Sequence, residues 1–479
     1  MSDTDPTASL AALEARVRDD LARTAHPSRS WMPERKGPGS THLYDVVIVG
    51  AGQGGLAVAH ALRRERVDNI LVIDRAPAGR EGVWVQYARM PTLRSPKEFT
   101  GPDLGMPSLT YQSWHEARFG RDSWQALERI PTQHWSDYLA WYRRVLDLPV
   151  RNEVALTGIA PLEGGGLRLA VDTAAGATEL LARKLVLATG QDGTGHWWMP
   201  DFIEALPERF RATCDQDIDF AGLKDKVVAV LGQGASAADN AATALEAGAR
   251  EVHMFVRRPQ LQRIQPYLWL TFAGFLRHIG DMPDAWRWRF MRHILNLREA
   301  FPQATYDRMC RHAGFHIHRG AGWLGADIVG DRVRLETARG PFAADYIICG
   351  TGIEIDLARR PELATLGPDV ATWGDRYQPP PGEEDPRLAR FPYHGPDGAF
   401  LQKVPGRAPH LADVHDFTIG TTLSFGPFGC SINAMTIAVP KLVAGITRGL
   451  MAADLELHWR SLQAFEGTVF EPRDTDRGP

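Results

Sequence analysis

The sequence predicts an α/β protein with two Rossmann-like units and a helical insert in the second unit. First, a short apolar strand, 45–49, runs directly into a glycine-rich turn and a helix. Second, the same order of strand, glycine turn and helix returns at 226–246. Third, two later strands end in turns of small residues, at 188–190 and 350–352. In such folds ligands bind at the carboxyl ends of parallel strands, so these turns mark one edge of each sheet.

The first glycine turn has the spacing Gly-x-Gly-x-x-Gly, with Gly50, Gly52 and Gly55 in the glycine positions. These residues allow a tight turn, a close approach of backbone to a pyrophosphate, and close packing of helix on strand. The helix that follows directs free N–H groups at the phosphates. Strand 69–73 ends on Asp74, roughly 20 residues past the last glycine, where an acid can accept the ribose hydroxyls. The predicted contacts of this dinucleotide are Gly50, Gly52, Gln53, Gly55, Asp74 and Arg75.

The second glycine turn, 232–237, has Ala237 in the third small position. The next strand, 251–256, ends on Arg257 and Arg258 rather than on an acid. Arginines at this edge fit a 2′-phosphate, which favours NADPH over NADH, and a pair of solvated charges is the alternative. The predicted contacts of this dinucleotide are Gly232, Gly234, Ser236, Ala237, Arg257 and Arg258.

The two small-residue turns add further predicted contacts. Each ends an apolar strand at the carboxyl edge of a parallel sheet, where ligands bind. The residues concerned are Thr189, Gly190, Gly350, Thr351 and Gly352.

The segment after the second strand, 82–98, is expected to pass near the first dinucleotide. Trp84 either stacks on a flavin or fills core. Lys97 either neutralises a phosphate or a substrate carboxylate, or is a solvated surface lysine.

Composition and spacing predict the domain organisation. Leu10, Leu13, Val17 and Leu21 recur at helical spacing before a linker. The insert contains a predicted helical stripe formed by Trp286, Phe290, Ile294, Leu297 and Phe301. This insert is either a packed lid or subdomain, or a helix on a membrane surface. The predicted segments are 1–40 (N-terminal helix and linker), 41–205 (first part of the first dinucleotide-binding domain), 206–345 (NADPH-binding domain with insert 260–320) and 346–479 (second part of the first dinucleotide-binding domain with cap loop 371–409).

Net charge, cysteine spacing and histidine spacing argue against several classes of protein and site. The net charge of −4 implies no general attraction for nucleic acid. The 4 cysteines contain no C-x-x-C pair and fit a reducing cytoplasm. His312, His316 and His318 have no carboxylate or cysteine at ligand spacing, so no metal site is predicted. No apolar run is expected to reach the roughly 20 residues of a membrane span.

Together these motifs resemble the NADPH-dependent flavin monooxygenases with two dinucleotide-binding domains, including flavin-containing and N-hydroxylating members. The resemblance covers Tyr44 to about Gly352 and extends to the C-terminal segment. Gly82-Val-Trp84 looks like the family's Gly-x-Trp element, and 92–98 like its Leu-x-Thr-Asn-x-Pro-Lys stretch, with Ser95 near the usual Asn. The family's fingerprint of Phe, Gly, His and Trp or Tyr is not found near Phe210, which disfavours a Baeyer–Villiger reaction.

The resemblance implies bound FAD and NADPH, with a small-molecule substrate and O2 as the reactants. One oxygen atom would enter the substrate, at nitrogen or sulfur first and at a carbonyl as the alternative. Ser95 and Lys97 are the candidate catalytic residues. A flavin reductase without oxygenation and a non-catalytic flavin-bound sensor are the rival interpretations. Homo-oligomerisation and the role of the insert stay open.

Overall fold

The computed structural model describes residues 6–427, 429 and 431–471, and it confirms the predicted α/β class, with two sheets built around parallel strands. The strands are β1 (Leu43–Val49), β2 (Ile70–Ile73), β3 (Val150–Arg151), β4 (Val154–Pro161), β5 (Leu167–Thr173), β6 (Gly176–Leu187), β7 (Gly195–Trp197), β8 (Arg211–Thr213), β9 (Val227–Leu231), β10 (Glu251–Val256), β11 (Phe315–Arg319), β12 (Trp323–Val329), β13 (Arg332–Thr337), β14 (Gly340–Ala344), β15 (Tyr346–Cys349), β16 (Ile353–Ile355) and β17 (Val414–Asp416).

Helices cover the sheets and form the insert. They are α1 (Pro6–Arg23), α2 (Gln53–Arg64), α3 (Tyr111–Phe119), α4 (Arg121–Ala126), α5 (Thr132–Val145), α6 (Asp201–Glu204), α7 (Ala235–Glu246), α8 (Pro266–Trp269), α9 (Ala273–His278), α10 (Asp284–Leu297), α11 (Gln303–Cys310), α12 (Trp373–Arg376), α13 (Pro386–Ala389), α14 (Thr422–Phe425), α15 (Met435–Ala453) and α16 (Leu455–Gln463).

The first sheet is organised around β1, which pairs in parallel with β2 and β6. Side chains of a strand alternate between the two faces of the sheet. Val46 and Ile48 therefore pack towards α2, α5 and α15, while Val47 and Val49 pack on the other face. The second half of β6 also pairs in parallel with β17, and its first half joins the antiparallel meander β4–β5–β6.

The second sheet is entirely parallel, in the order β11-β10-β9-β15-β8. β15 was expected in the last segment, but its backbone pairs with β9 and β8, so the second sheet extends beyond residue 345. β11 lies within the predicted insert 260–320, yet it is the edge strand next to β10. The helical insert therefore ends before Phe315, and the remaining domain boundaries stay a prediction.

Two short crossing strands connect the units. β7 leaves the first unit and pairs antiparallel with β16, which returns from the second. The Trp198 N–H donates to the Gly352 carbonyl at 3.0 Å, and Thr351 Oγ1 donates to the Trp198 carbonyl. Thr351 and Gly352, both predicted cofactor contacts, thus also stabilise the connection between the two units.

The helix α10 confirms the helical insert, and its buried face includes Ile294 of the predicted stripe but not Trp286. Trp288 and Met291 are buried, while Trp286 is 51% exposed. Trp288 Nε1 donates to the Glu383 carbonyl at 2.8 Å, so α10 packs on the cap loop. The packed-subdomain interpretation of the insert is thereby favoured for this helix.

Two terminal helices complete the first unit. Leu13 and Val17 of α1 are buried against the body, as the helical spacing predicted. The stretch Ile432–Ala453 is long and apolar enough to cross a membrane, so the expectation that no such run exists was wrong. Half of that stretch is buried inside the protein, and α15 packs on α2, as a core helix does.

Candidate functional site

The first glycine turn joins β1 to α2 at the carboxyl edge of the first sheet. Gly50 has φ 105°, and a Cβ there would lie 2.4 Å from the Ala188 carbonyl oxygen. A Cβ on Gly55 would lie 1.8 Å from the Gly50 carbonyl oxygen, so neither position accepts a side chain. Gly52 is the N-cap of α2 and provides no side-chain cap. The first N–H groups of α2 are therefore available to an anion.

Residues beside this turn are held by aromatic packing. Gln53 Oε1 accepts a 3.1 Å hydrogen bond from Trp135 Nε1. Trp84 packs edge-to-face on Trp135, with ring centroids 6.3 Å apart, and contacts the core of the first unit. These contacts support the core-filling alternative for Trp84.

Asp74 braces the first turn. Its Oδ2 accepts from the Ala51 N–H at 2.7 Å, and its Oδ1 accepts from the Ala76 N–H at 2.8 Å. Burial raises the pKa of this carboxyl, and the two backbone donors oppose that rise. The carboxylate thus ties the glycine turn to the end of β2, and its predicted contact with ribose hydroxyls stays a prediction. Arg75, next in the chain, is exposed.

The turn that contains Thr189 closes the first site. Thr189 Oγ1 is buried and has no hydrogen-bond partner among the described residues. Gly190 has φ 87°, and its carbonyl accepts from the Ile419 N–H at 3.4 Å. A Cβ on Gly193 would lie 2.3 Å from Thr189 Oγ1, so the hydroxyl is tightly enclosed. A buried hydroxyl without a partner costs about 1–3 kcal/mol, which a bound polar group would recover.

The second glycine turn repeats the first between β9 and α7. Gly232 has φ 118°, and a Cβ there would lie 2.3 Å from the Gly350 carbonyl oxygen. A Cβ on Gly350 would lie 2.3 Å from that of Ala237, so the two predicted turns pack directly together. Gly234 is the N-cap of α7, provides no side-chain cap, and has no atom within 4 Å of an added Cβ. Ser236 lies in the first turn of the same helix.

Arg257 and Arg258 differ in their surroundings. Arg258 donates to the Leu297 carbonyl at 3.0 Å and to the Asn296 carbonyl at 2.5 Å, so it caps the carboxyl end of α10. Arg257 is exposed, and within the described chain no hydrogen bond or ion pair involves its guanidinium. Only Arg257 of this pair is therefore free to bind a phosphate without losing a structural contact.

Arg298 is a further cation at the second turn, and no sequence pattern indicated it. It follows α10 with φ 65°, and a Cβ on Gly352 would lie 3.4 Å from its Nη1. Arg298 is exposed, and its pKa is lowered, first by the protein packed around its guanidinium and then by the charges of Arg387, Arg257 and Arg258. No described carboxylate pairs with Arg298, so an anionic ligand would relieve this concentration of positive charge.

Ser95 and Lys97, the candidate catalytic residues, lie on a strap between the units. Lys97 Nζ donates to the carbonyls of Trp124 at 2.8 Å and Leu127 at 2.6 Å, and it lies over the Trp124 ring. This ammonium is therefore occupied by the chain itself. Ser95 is half-buried, and the adjacent Arg94 forms a 2.5 Å ion pair with Asp239 of α7.

A series of buried, hydrogen-bonded side chains anchors the loop after β17. Sequence reasoning missed it. His394 Nε2 lies 3.1 Å from Asp416 Oδ2, and its Nδ1 lies 3.2 Å from Ser424 Oγ. Trp373 Nε1 also donates to Ser424 Oγ, at 3.3 Å. The cap loop is thereby fastened to the end of β17. No sequence signal predicts it, because its members lie far apart in the chain.

The residues present fit the two dinucleotides that the resemblance implied. At the first turn, an uncapped helix start, glycines that accept no side chain and the orphaned Thr189 hydroxyl suit the pyrophosphate and polar groups of FAD. At the second turn, the open Gly234 and the unpaired Arg257 and Arg298 suit the pyrophosphate and 2′-phosphate of NADPH.

Comparison with known proteins gives a matching family and a close relative. A family model described as pyridine nucleotide-disulphide oxidoreductase matches residues 47–273. A FAD-dependent urate hydroxylase from Xanthomonas campestris pv. campestris is 42% identical over 447 residues, which are 93% of this chain and 94% of that protein. The match leaves out only a small part of either chain, so it includes both units.

Solved structures with the same fold are more distant in sequence. The reduced ornithine hydroxylase of Pseudomonas aeruginosa is 17% identical, with a TM-score of 0.65 over 86% of this chain and 99% of that chain. The ornithine N-hydroxylase of Kutzneria sp. 744 is 18% identical, with a TM-score of 0.64 over 85% and 100% of the two chains. At these identities the likeness establishes the fold alone.

Proposed function

The chain belongs to the pyridine nucleotide-disulphide oxidoreductase family and is a FAD-dependent hydroxylase of the flavin monooxygenase type, and on that basis we propose that it hydroxylates urate with NADPH and O2. The observation that supports urate as the substrate is the 42% identity to a urate hydroxylase over nearly the whole of both chains. In the proposed reaction NADPH, a proton and O2 are consumed, one oxygen atom enters the substrate, and the other leaves as water.

FAD, when bound, supplies hydride acceptance from the nicotinamide and the transfer of an oxygen atom, chemistry that protein side chains cannot perform. The chain's part is to bind and to orient. The start of α2 and the Thr189 hydroxyl would hold the FAD, and Asp74 keeps the glycine turn in place. Arg94 of the strap pairs with Asp239 of α7 and so links the two units.

The use of NADPH rests on the charges at the second turn. Arg257 and Arg298 have no described carboxylate partner and lie at the edge where the 2′-phosphate of the nucleotide is expected. Arg258, which the sequence placed in the same role, is engaged by α10. We therefore assign phosphate recognition to Arg257 and Arg298.

Oxygenation of an amine nitrogen or of a sulfide is the second candidate function. It is supported by the resemblance of 82–84 and 92–98 to elements of the N-hydroxylating members. The occupied Lys97 ammonium counts against a direct role for this lysine with a substrate carboxylate. Urate therefore stands first.

A flavin reductase that works through a disulfide is disfavoured by the described cysteines, which are all free and of which Cys310 alone is exposed. Cys214 and Cys349 are buried and free, and burial raises the pKa of both thiols, that of Cys349 to about 12. Such thiols hold their protons at neutral pH and are poor nucleophiles. Free thiols also suit the cytoplasmic location that we propose. Cys430 lies outside the described residues.

The deciding experiment measures oxygen transfer to urate. Purified FAD-loaded protein is mixed with NADPH, urate and ¹⁸O₂, and the urate-derived product is analysed by mass spectrometry. We expect urate-dependent NADPH oxidation and one labelled oxygen atom in the product. NADPH oxidation that yields only hydrogen peroxide with urate, but labelled product with an amine or a sulfide, would replace urate by the second candidate.

A further inference from the structure

The helical insert carries an apolar surface that no described residue covers. We call this surface the insert patch; its members are between 48% and 69% exposed and are Ile264, Leu268, Trp269, Phe272 and Trp286. The rings are contiguous, because Trp269 lies edge-to-face with Phe272 at 5.3 Å and stacks on Phe290 at 5.9 Å. Contiguous exposed aromatic rings of this kind are typical of an interaction surface.

The end of the described chain carries a second such surface. α16 contains no buried residue. The C-terminal patch consists of side chains between 54% and 72% exposed, namely Leu455, Trp459, Leu462, Phe465 and Phe470. Leu455, Trp459 and Leu462 share one face of α16, because they are four and three positions apart. An amphipathic helix with its apolar face in water requires a partner.

The unpaired charges around the two patches have opposite signs. Arg263 and Arg277 border the insert patch, are exposed and form no described ion pair, whereas the acids Asp281 and Asp284 there are already paired with basic side chains. Around the C-terminal patch the unpaired, exposed charges are Glu456, Arg460, Glu466 and Glu471. The insert patch is thus net basic and the C-terminal patch net acidic, which makes them electrostatically complementary.

The two patches of one chain cannot meet. The 19-residue helix α15 lies between them, which is roughly 28 Å at about 1.5 Å per residue. Near its start Lys441 pairs with Asp281 of the insert at 3.3 Å. At its end the buried Asp454 pairs with Arg35 at 2.5 Å and with Arg183 at 2.7 Å. Both ends of α15 are therefore fixed, so α16 cannot fold back onto the insert patch of its own chain.

We propose that a second copy of this chain covers the insert patch with its C-terminal patch, and that the first copy returns the same contact. Such a reciprocal arrangement satisfies both patches in a closed dimer. An anionic membrane would attract the arginines of the insert patch, but it would repel the glutamates of the C-terminal patch. Only a second copy accounts for both surfaces at once.

Light scattering during size-exclusion chromatography of the FAD-loaded protein tests the proposal. We expect a dimer at micromolar concentration, and at least a tenfold weaker association for both Trp269→Asp and Leu462→Asp with unchanged FAD content. Leu324→Asp is the matched control, because Leu324 is 70% exposed on β12 and belongs to neither patch.

A charge reversal tests which surfaces meet. The double variant R263E/R277E should dissociate, and the addition of E456K/E466K to the same chain should restore the dimer. Dissociation without restoration would overturn the proposed contact. A monomeric wild-type protein that instead sediments with phosphatidylserine vesicles would identify the insert patch as a membrane surface and would also overturn it.

Discussion

The two glycine turns have the same local geometry but different support. Around the first turn the chain supplies a brace, because the Asp74 carboxylate holds the Ala51 and Ala76 N–H groups. The second turn has no carboxylate in that place, and its strand ends on the exposed Arg257. The first turn is thus preorganised by the chain, whereas at the second turn a bound anion would be needed to balance the charge of Arg257 and Arg298. A preorganised first site suits a cofactor that stays bound. A second site whose charge calls for a ligand suits a cofactor that exchanges at every turnover.

The largest expected effect is the loss of bound flavin when a side chain is added at the first turn, while the same change at the second turn leaves the flavin bound. A Cβ on Gly52 would have ordinary contacts only, with Gly82 at 3.5 Å, so the fold should tolerate Gly52→Val while a pyrophosphate should not. We expect flavin content and activity to be lost with far-ultraviolet circular dichroism unchanged. Gly234→Val is the matched variant: it should keep its flavin and lose affinity for NADPH, measured by titration. A folded Gly52→Val protein with full flavin would refute the assignment of the first site.

The second prediction concerns acid stability, which should distinguish the helices that follow the turns. His60 on α2 is buried with its Nδ1 2.7 Å from Tyr142 Oη, and burial lowers its pKa to about 3. Below pH 6.5 His60 binds a proton in the unfolded chain but not in the folded chain. The free energy of unfolding therefore falls as the pH falls from 6.5 towards 3. At pH 4.5 the expected loss is about 3 kcal/mol.

Urea unfolding at pH 7 and pH 4.5 measures this loss, with flavin fluorescence reporting on the first unit. The variant His60→Gln should lose less stability between the two pH values than the wild-type protein. α7 contains no histidine, so no such effect is expected there. Identical pH dependence in the variant and in the wild-type protein would show that His60 is not responsible.

The third prediction tests the charge at the second turn. An Arg–phosphate contact contributes on the order of 1.5–3 kcal/mol, so Arg298→Ala should lower kcat/KM for NADPH roughly tenfold to a hundredfold and leave that for NADH nearly unchanged. Binding of 2′,5′-ADP, measured by calorimetry, should weaken in parallel, and Arg257→Ala should share the effect. Arg258→Ala should reduce thermal stability instead, because α10 loses its cap. Equal losses with NADPH and NADH would make Arg298 structural.

The smallest effect is expected at Lys97 on the strap. Lys97→Met removes hydrogen bonds to the Trp124 and Leu127 carbonyls, which should cost about 1–3 kcal/mol of stability and change kcat by less than twofold. Lys97→Arg is the conservative control. A tenfold fall in kcat with an unchanged melting temperature would instead support the catalytic role that the sequence suggested.

The class of fold, both glycine turns and both closing turns were predictable from the sequence. The burial of Leu13 and Val17 was predictable too, because a repeating apolar pattern determines which face of an element is buried. The face of α10 was predicted less well, since Trp286 and Trp288 are equally apolar and only the position of the cap loop distinguishes them.

The sequence by itself determined features that depend on neighbours in the chain: the tight turns at Gly50 and Gly232, and the helices that start beside them. The folded structure alone settled which charges are occupied and which are free. Arg258 is taken up by α10, and Lys97 by carbonyls some 30 positions away. Arg298 reaches the second turn only through the path of the insert. The physical reason is that hydrogen bonds and ion pairs act over a few ångströms in space, whatever the separation of the residues along the chain.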